Sequence, residues 1–143
     1  MKNLITTVAC LIILLVIMLQ FSVNQATNAH LTAADKAVAG FNQEIRIEGG
    51  ISEEKQSALQ EKMAKILGCK AEEVKLTGKG EGGVVPGPGE VPRGEFIYYT
   101  LSIPLKDVIA AAEFWNLADT EKDQRKTYKE ACASEYIDHT QQW

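Results

Sequence analysis

The most apolar part of the chain lies close to its N-terminus and runs from Leu4 to Phe21 without a charged side chain. No Asp, Glu, Lys or Arg occurs anywhere between Asn3 and Ala34. A helix of 18 residues, the length of this segment, spans about 27 Å, which is close to the hydrocarbon thickness of a bilayer. The pattern predicts a transmembrane helix over residues 4–21. Its membrane anchor comprises Leu4, Leu11, Leu14, Ile17 and Phe21.

A different pattern follows, in which apolar residues recur at intervals of three and four with polar residues between them. This spacing is typical of one face of an amphipathic helix, and Gly49-Gly50 ends it. We therefore predict one helix from about residue 3 to about residue 47, in which residues 22–48 extend the span beyond the membrane. The polar side chains, Asp35, Asn42 and Arg46 among them, are expected to face solvent. The apolar residues form a helix-packing seam of Leu31, Ala34, Val38, Phe41 and Ile45.

Two partners fit this seam. It spans two heptads, which is too short to establish a coiled coil. The seam therefore packs either on the protein's own head or on another copy of the chain, through self-association.

Residues 51–117 are predicted to form a small head. Ser52 is a suitable N-cap and Gly68 a suitable C-terminal signal for a second helix. Val74–Thr77 alternates apolar and polar residues, as a short strand does. Glu95–Ile103 is the clearest strand, with one apolar face expected to pack on the second helix and an opposite face made of Phe96, Tyr98, Thr100 and Ser102.

The segment from Gly78 to Gly94 contains seven glycines and three prolines, which excludes a helix or an inner strand. It lacks the Gly-Lys-Ser or Gly-Lys-Thr of a phosphate-binding loop. We interpret it as a mobile connector between two strands. Alternatively, the Pro-Gly-Pro tip of this segment is a contact site for a partner.

The C-terminal part is more polar. Residues 105–117 fit a strand or a helix equally well, and residues 118–143 form a polar segment that is partly helical. Within it, Thr120–Ala133 is predicted to be a surface helix whose inner side carries Tyr128, Ala131 and Cys132, and His139–Trp143 a frayed tail. The predicted fold class is α+β: a long N-terminal transmembrane-plus-amphipathic helix, then a small head with one helix packed on a short antiparallel sheet.

Length and charge narrow the function classes. The 143 residues suffice for one domain. All 19 acidic residues lie from Asp35 onward together with 14 of the 15 basic ones, a formal charge of −5. A domain of that charge repels phosphate backbones and anionic lipid surfaces. Nucleic acid is therefore not an expected partner.

The orientation follows from the N-terminal flank. Lys2 and the terminal amine make residues 1–3 the cytoplasmic end, so the C-terminal domain is predicted to lie outside the cell membrane of a single-pass protein. The alternative is a signal peptide cleaved after Thr27-Asn28-Ala29. The apolar segment is longer than the core of a signal peptide, which favours the anchor.

No motif predicts catalysis or a cofactor. His30 and His139 lie apart from any Cys, His or carboxylate pattern with metal-ligand spacing, and no nucleophile or nucleotide motif is present. We expect no enzyme, no metal and no cofactor. Cys69 and Cys132 are candidates for a disulfide, which an extracytoplasmic location permits.

A charged start, an uncharged spanning helix that continues as an Ala-rich amphipathic helix, and a small α+β head together resemble type IV pilin-like proteins. Within that group the chain is most similar to the small TadE-like pseudopilins of pilus assembly. The residues that carry the resemblance are Leu4–Phe21, Val23–Ala39, the Gly49-Gly50-Ile51-Ser52 turn and Arg93-Gly94-Glu95. Such pilins are usually cut after a glycine and carry a glutamate five residues later, yet this chain has no glycine before Gly40 and no acid before Asp35.

The resemblance implies a member that keeps its anchor uncut or serves the machine without entering the filament. The predicted function is a non-catalytic, membrane-anchored subunit of a pilus, conjugation or secretion apparatus, with other protein subunits as partners. The alternative is a secreted or anchored extracytoplasmic binding module that uses the Gly78–Gly94 loop.

Overall fold

The computed structural model describes residues 1–79, 82–105 and 125–137. Its architecture is α+β, as predicted: a long helix, a second helix, a short 3-10 helix at Ala71–Glu73 and a three-stranded antiparallel sheet. The predicted alternatives for 106–117 and the predicted tail from His139 lie outside the described residues. The helices and strands are α1 (Lys2–Glu48), α2 (Glu53–Leu67), β1 (Lys75–Thr77), β2 (Phe96–Pro104) and β3 (Arg125–Ala133).

Helix α1 is continuous over 47 residues, which confirms the prediction of one helix through the apolar and amphipathic segments. It ends where Gly49 adopts a left-handed conformation (φ 66°) and donates its N–H to the Ile45 carbonyl at 2.9 Å. Glycine adopts this conformation without the steric cost that a Cβ brings.

Helix α2 has the boundaries that its capping residues predict. The Ser52 hydroxyl accepts the Lys55 N–H at 3.3 Å, and Gly68 terminates the helix at φ 70°. The short turn between the helices folds α2 back along α1, so the end of α2 lies beside the middle of α1. There the His30 Nδ1 lies 2.7 Å from the Ile66 carbonyl oxygen, the geometry of a donated hydrogen bond.

The sheet has the order β1-β2-β3, with antiparallel pairing throughout. The register pairs Leu76 with Leu101 and Ile97 with Cys132. The inner-face side chains of β1 and β2 are buried against the helices, whereas those of β3 are half-buried except for Cys132, which is buried. On the opposite face the side chains are exposed or half-buried, apart from Pro104 at the end of β2. The buried face of β2 consists of Ile97, Tyr99, Leu101 and Ile103, as predicted.

The prediction of a surface helix over Thr120–Ala133 is wrong for the described part, because Arg125–Ala133 is strand β3. Lys, Glu and Ala favour a helix in isolation, but pairing with the whole length of β2 satisfies the backbone of this segment and overrides that preference. Residues 120–124 of the predicted helix lie outside the described residues.

The core sits between α1, α2 and the inner face of the sheet. The predicted seam is part of it: Ala34, Val38, Phe41 and Ile45 are buried and Leu31 packs at the edge. The Phe41 ring meets the Tyr99 ring edge to face, with centroids 5.5 Å apart. The helix-packing seam therefore packs on the protein's own head, which is one of the two partners predicted for it.

Candidate functional site

The first half of α1 is an exposed apolar cylinder. The five predicted anchor side chains are 55–71% exposed, with Leu4 at 71% and Leu14 at 55%. Thr6 and Thr7 donate their hydroxyls to the carbonyls of Lys2 and Asn3 at 3.0 and 2.7 Å, so neither hydroxyl needs water. By length and composition this is the one helix of the described residues that is able to cross a membrane. A signal sequence meets the same criteria.

The second half of α1 is tied to β3 by polar contacts that the sequence pattern placed on the solvated side. The Asp35 carboxylate accepts the Tyr128 hydroxyl at 2.6 Å and lies 3.3 Å from the Lys126 ammonium. Farther along, the Arg46 guanidinium pairs with the Glu135 carboxylate. Asp35 is exposed, as predicted, whereas Arg46 is half-buried, and both also pair with side chains of the C-terminal part of the chain.

Asn42 sits at the centre of the same contact. Its carbonyl oxygen accepts the Tyr99 hydroxyl, and its amide donates to the Glu130 carboxylate at 3.3 Å. Because both the oxygen and the NH2 group of the side-chain amide are bonded, Asn42 joins β2 and β3 to α1. A hydrogen-bonded polar group of this kind fixes the register of packed elements.

The electrostatics of this contact favour structure over catalysis. Burial raises the pKa of Tyr99 well above its usual range, so the hydroxyl stays neutral at physiological pH. The Tyr128 hydrogen bond lowers the pKa of Asp35, and burial raises the pKa of Cys132. A neutral phenol, an ionised carboxylate and a protonated thiol supply no base or nucleophile poised near neutrality.

The Gly78–Gly94 segment connects β1 and β2, as predicted, but its described part is docked on the α1–α2 turn. Ile51 donates its N–H to Pro86 at 2.8 Å, and Gly89 donates to the Glu48 carbonyl at 2.8 Å. Val91 is buried and donates to Gly49 at 2.9 Å. The interpretation as a mobile connector is therefore wrong for residues 86–94, which are held to the head by backbone hydrogen bonds.

The predicted disulfide is absent, because Cys132 carries a free thiol. The two cysteines lie at different levels of α1. Cys132 lies close enough to Arg46 for the guanidinium charge to act on the thiol, whereas Cys69 follows the end of α2, whose last turn contacts His30 through Ile66. Sixteen residues of helix separate His30 from Arg46, a rise of about 24 Å, and a bridge needs Cα atoms about 5.5 Å apart.

Neither histidine is placed as a metal ligand in the described structure. His30 binds the C-terminal turn of α2, and His139 lies outside the described residues. Among the residues described, no group of three or more His, Cys, Asp or Glu side chains is arranged to share a metal ion.

The sheet's second face forms an open groove that the sequence indicated only in part. We use the name outer sheet face for the side chains that alternate away from the helices. Its groove has a volume of about 520 Å³, and Glu130 and the inner-face Tyr99 also border it. The outer side chains at the groove are Thr77, Lys79, Tyr98, Thr100, Thr127 and Lys129.

Comparisons of the chain with protein-family models, curated proteins and solved structures give no match.

Proposed function

We propose that the protein is a non-catalytic subunit of a pilus, conjugation or secretion apparatus, anchored in the cell membrane by residues 4–21 of α1. In this arrangement the N-terminus stays in the cytoplasm and the head lies outside. The observation that carries the proposal is the continuity of α1. An exposed apolar half and a half packed in the head belong to one helix without a break.

Continuity matters because it makes the span and the head one mechanical unit. A helix of 47 residues is about 70 Å long, and neither proline nor glycine occurs in it before Gly40. The ties from Asp35 and Asn42 to β3, and from Arg46 to Glu135 just after it, add three contacts over the second half. A push on the span is then transmitted to the head, as a subunit of a moving or growing assembly requires.

The exposed span offers the surface for assembly. Side chains such as Leu11, Leu14 and Ile17 surround the helix on all sides and are each 55–58% exposed. Lipid chains satisfy such a surface as well as protein does, so association with neighbouring spans rests on close packing and not on burial from water. The head supplies the contacts outside the membrane.

A second candidate is an extracytoplasmic binding module released by signal-peptide cleavage after Ala29. One observation favours it: the buried core begins at Ala34, with Leu31 packed at its edge. A chain that starts at His30 keeps every core residue and also the His30 contact with Ile66. Cleavage at that position would therefore leave the head whole.

The apparatus proposal is tested by deleting the gene in the producing bacterium and measuring surface filaments, conjugative transfer and protein secretion. We expect at least one of the three to fail, and expect the full chain to restore it. The variant Leu14→Asp should not restore it, whereas the matched control Leu14→Ile should. A deletion that leaves all three processes unchanged contradicts the proposal.

A further inference from the structure

The outer sheet face is regular enough for its side chains to be placed in rows. The register aligns Thr77, Thr100 and Lys129 across the three strands, and the next row contains Lys75, Ser102 and Thr127. Rows on one face of a sheet are separated by about 7 Å and strands by about 5 Å. Hydroxyls therefore line the middle of the face, with ammonium groups at both edges.

The charge of this face is opposite to that of the chain. The formal net charge is −4, yet none of the described strand residues that alternate onto the outer sheet face is acidic. The cations there are Lys75, Lys79, Lys129 and Arg125. Arg125 is engaged, since its guanidinium donates to the Ser102 hydroxyl at 2.8 Å and to backbone carbonyls. The three lysines are exposed.

An aromatic surface continues the face at one end. Phe96 and Tyr98 are 55% and 42% exposed, with ring centroids 6.1 Å apart and planes tilted by 39°. Their partners on β3 are the small residues Ala133 and Ala131. The two exposed rings therefore lie beside small side chains on the neighbouring strand.

We propose that the outer sheet face binds a linear anionic polysaccharide. The apolar flank of a sugar ring packs on Tyr98, its hydroxyl groups bond Thr77 and Thr100, and its acidic groups pair with Lys79 and Lys129. The Lys79 ammonium lies 5.0 Å from the centre of the Tyr98 ring, so one residue pair offers stacking and charge together.

The position of the face argues for a polymer and against lipid headgroups. Tyr128 at the centre of β3 lies level with Asp35, which is 14 residues beyond Phe21. That separation is about 21 Å of helix rise, whereas the electrostatic potential of a membrane decays over about 8 Å at physiological ionic strength. The headgroup layer takes up about 5–8 Å of that rise, so the potential at the level of Tyr128 is several-fold weaker than at the membrane surface, and anionic headgroups attract the lysines of the outer sheet face only weakly.

The charge density of the ligand argues for a polysaccharide and against nucleic acid. The domain as a whole is acidic, and it repels a densely charged phosphate backbone more strongly than a polymer with one acid for each sugar. Hydroxyl side chains at Thr77, Thr100 and Thr127 suit a ligand rich in hydroxyl groups. The proposal depends on the outer sheet face alone, and purified protein tests it whether or not the apparatus proposal holds.

The test is titration calorimetry of the full chain in neutral detergent micelles with oligomers of alginate, a polymer of uronic acids. Neutral dextran oligomers and a single-stranded oligothymidylate of equal charge serve as comparison ligands. We expect alginate to bind, neutral dextran to bind at least about tenfold more weakly, and the affinity for alginate to fall as salt is raised.

Three variants locate the site. Lys129→Glu and Tyr98→Ala should each weaken alginate binding about tenfold, since each removes a charged or stacking contact. Lys65→Glu makes the same charge change on α2, away from the sheet, and should alter binding less than about twofold. Circular dichroism of each variant confirms that the head is folded before binding is compared.

Four results would overturn the proposal. They are no alginate binding, equal binding of neutral dextran, equal binding of the oligothymidylate, and equal weakening by Lys129→Glu and Lys65→Glu. Concentration-dependent dimerisation that Tyr98→Ala abolishes would also overturn it, because a second copy would then occupy the face. The gene-deletion result bears on the apparatus and leaves each of these outcomes unchanged.

Discussion

Replacing Gly50 by alanine should release the Gly78–Gly94 segment from the head. A Cβ at Gly50 would lie 1.7 Å from the Gly87 carbonyl oxygen and 2.4 Å from its carbon. Ordinary contact between such atoms begins near 3.4 Å, so the segment must retreat by about 1.5 Å or more. The obstruction is backbone and not the end of a flexible side chain, so it cannot rotate away.

The magnitude follows from the contacts that such a retreat breaks. The hydrogen bonds from Ile51 to Pro86 and from Gly89 to Glu48, both 2.8 Å long, flank the contact point. Each is worth about 1 kcal/mol net. Overpacking by one methyl group in a tight site costs about 1–3 kcal/mol. The expected loss in the free energy of unfolding of Gly50→Ala is therefore about 3–5 kcal/mol.

Gly40→Ala is the matched control. Gly40 is exposed within α1, whereas Gly50 lies in the turn that follows it, and a Cβ at Gly40 meets nothing within 4 Å. Neither Gly40 nor Gly50 has a positive φ, so alanine adopts both backbone conformations without strain. Alanine in an exposed helix interior should raise the free energy of unfolding by about 0.5–1 kcal/mol. The two variants are thus predicted to change stability in opposite directions.

The assay is urea unfolding of the full chain in detergent, followed by near-ultraviolet circular dichroism, to which the buried Tyr99 contributes. Hydrogen exchange of the Ile51, Gly89 and Val91 amides adds a local reading and should accelerate in Gly50→Ala alone. A Gly50→Ala variant as stable as the parent, with unchanged exchange at these amides, would refute the docking of the segment on the α1–α2 turn.

Three other predictions concern the core, pH and the span. Ile45→Ala should lower the free energy of unfolding in urea by about 2–5 kcal/mol, because Ile45 is fully buried. Ile47 is 68% exposed, so Ile47→Ala should change it by less than about 0.5 kcal/mol. Equal losses in the two variants would contradict the orientation of α1. Burial raises the pKa of Tyr99, so its stabilising contribution is complete below about pH 10, the unfolded tyrosine value, and is lost as pH rises further. Tyr99→Phe should therefore lose less stability between neutral and strongly alkaline pH in urea titrations, and an unchanged slope would be evidence against this assignment. Leu14→Asp should cost insertion about 3 kcal/mol and reduce the membrane-retained fraction measured by carbonate extraction, and full retention would argue against a span.

The helices could be predicted from sequence because their signals are local. Ser52 and Gly68 mark the ends of α2, and Gly49 marks the end of α1. The apolar spacing from Leu31 to Ile45 identified the packed face. Such signals depend on residues a few positions apart, and capping and periodicity describe them fully.

Strand β3 could not be predicted because its inward side chains are polar. Lys126, Tyr128 and Glu130 face α1. The first two form hydrogen bonds with Asp35, and Glu130 forms one with Asn42. An alternation of apolar and polar residues, the usual signal of a strand, is therefore missing over most of β3. Only the pairing with β2 and the partners on α1 make this segment a strand, and both are distant in sequence.

The docked loop and the outer sheet face were missed for a related reason. The fit of the loop depends on the absence of a side chain at Gly50, where the Gly87 backbone approaches closely, and a glycine in a sequence indicates flexibility and not contact. The alternation of residues along the sequence placed Tyr98 and Thr100 on the face of β2 opposite to the buried one. It could not align them with Lys129, because that requires β3 to be identified as a strand and its register to be known.

The most direct test of the central claim, that one helix anchors and carries the head, is the intact mass of the protein extracted from membranes. The account predicts a chain that begins at Met1, so that residues 4–21 remain attached through α1 to the head. A chain that begins at His30 would show that the apolar segment is a cleaved signal peptide, and would contradict the anchored subunit.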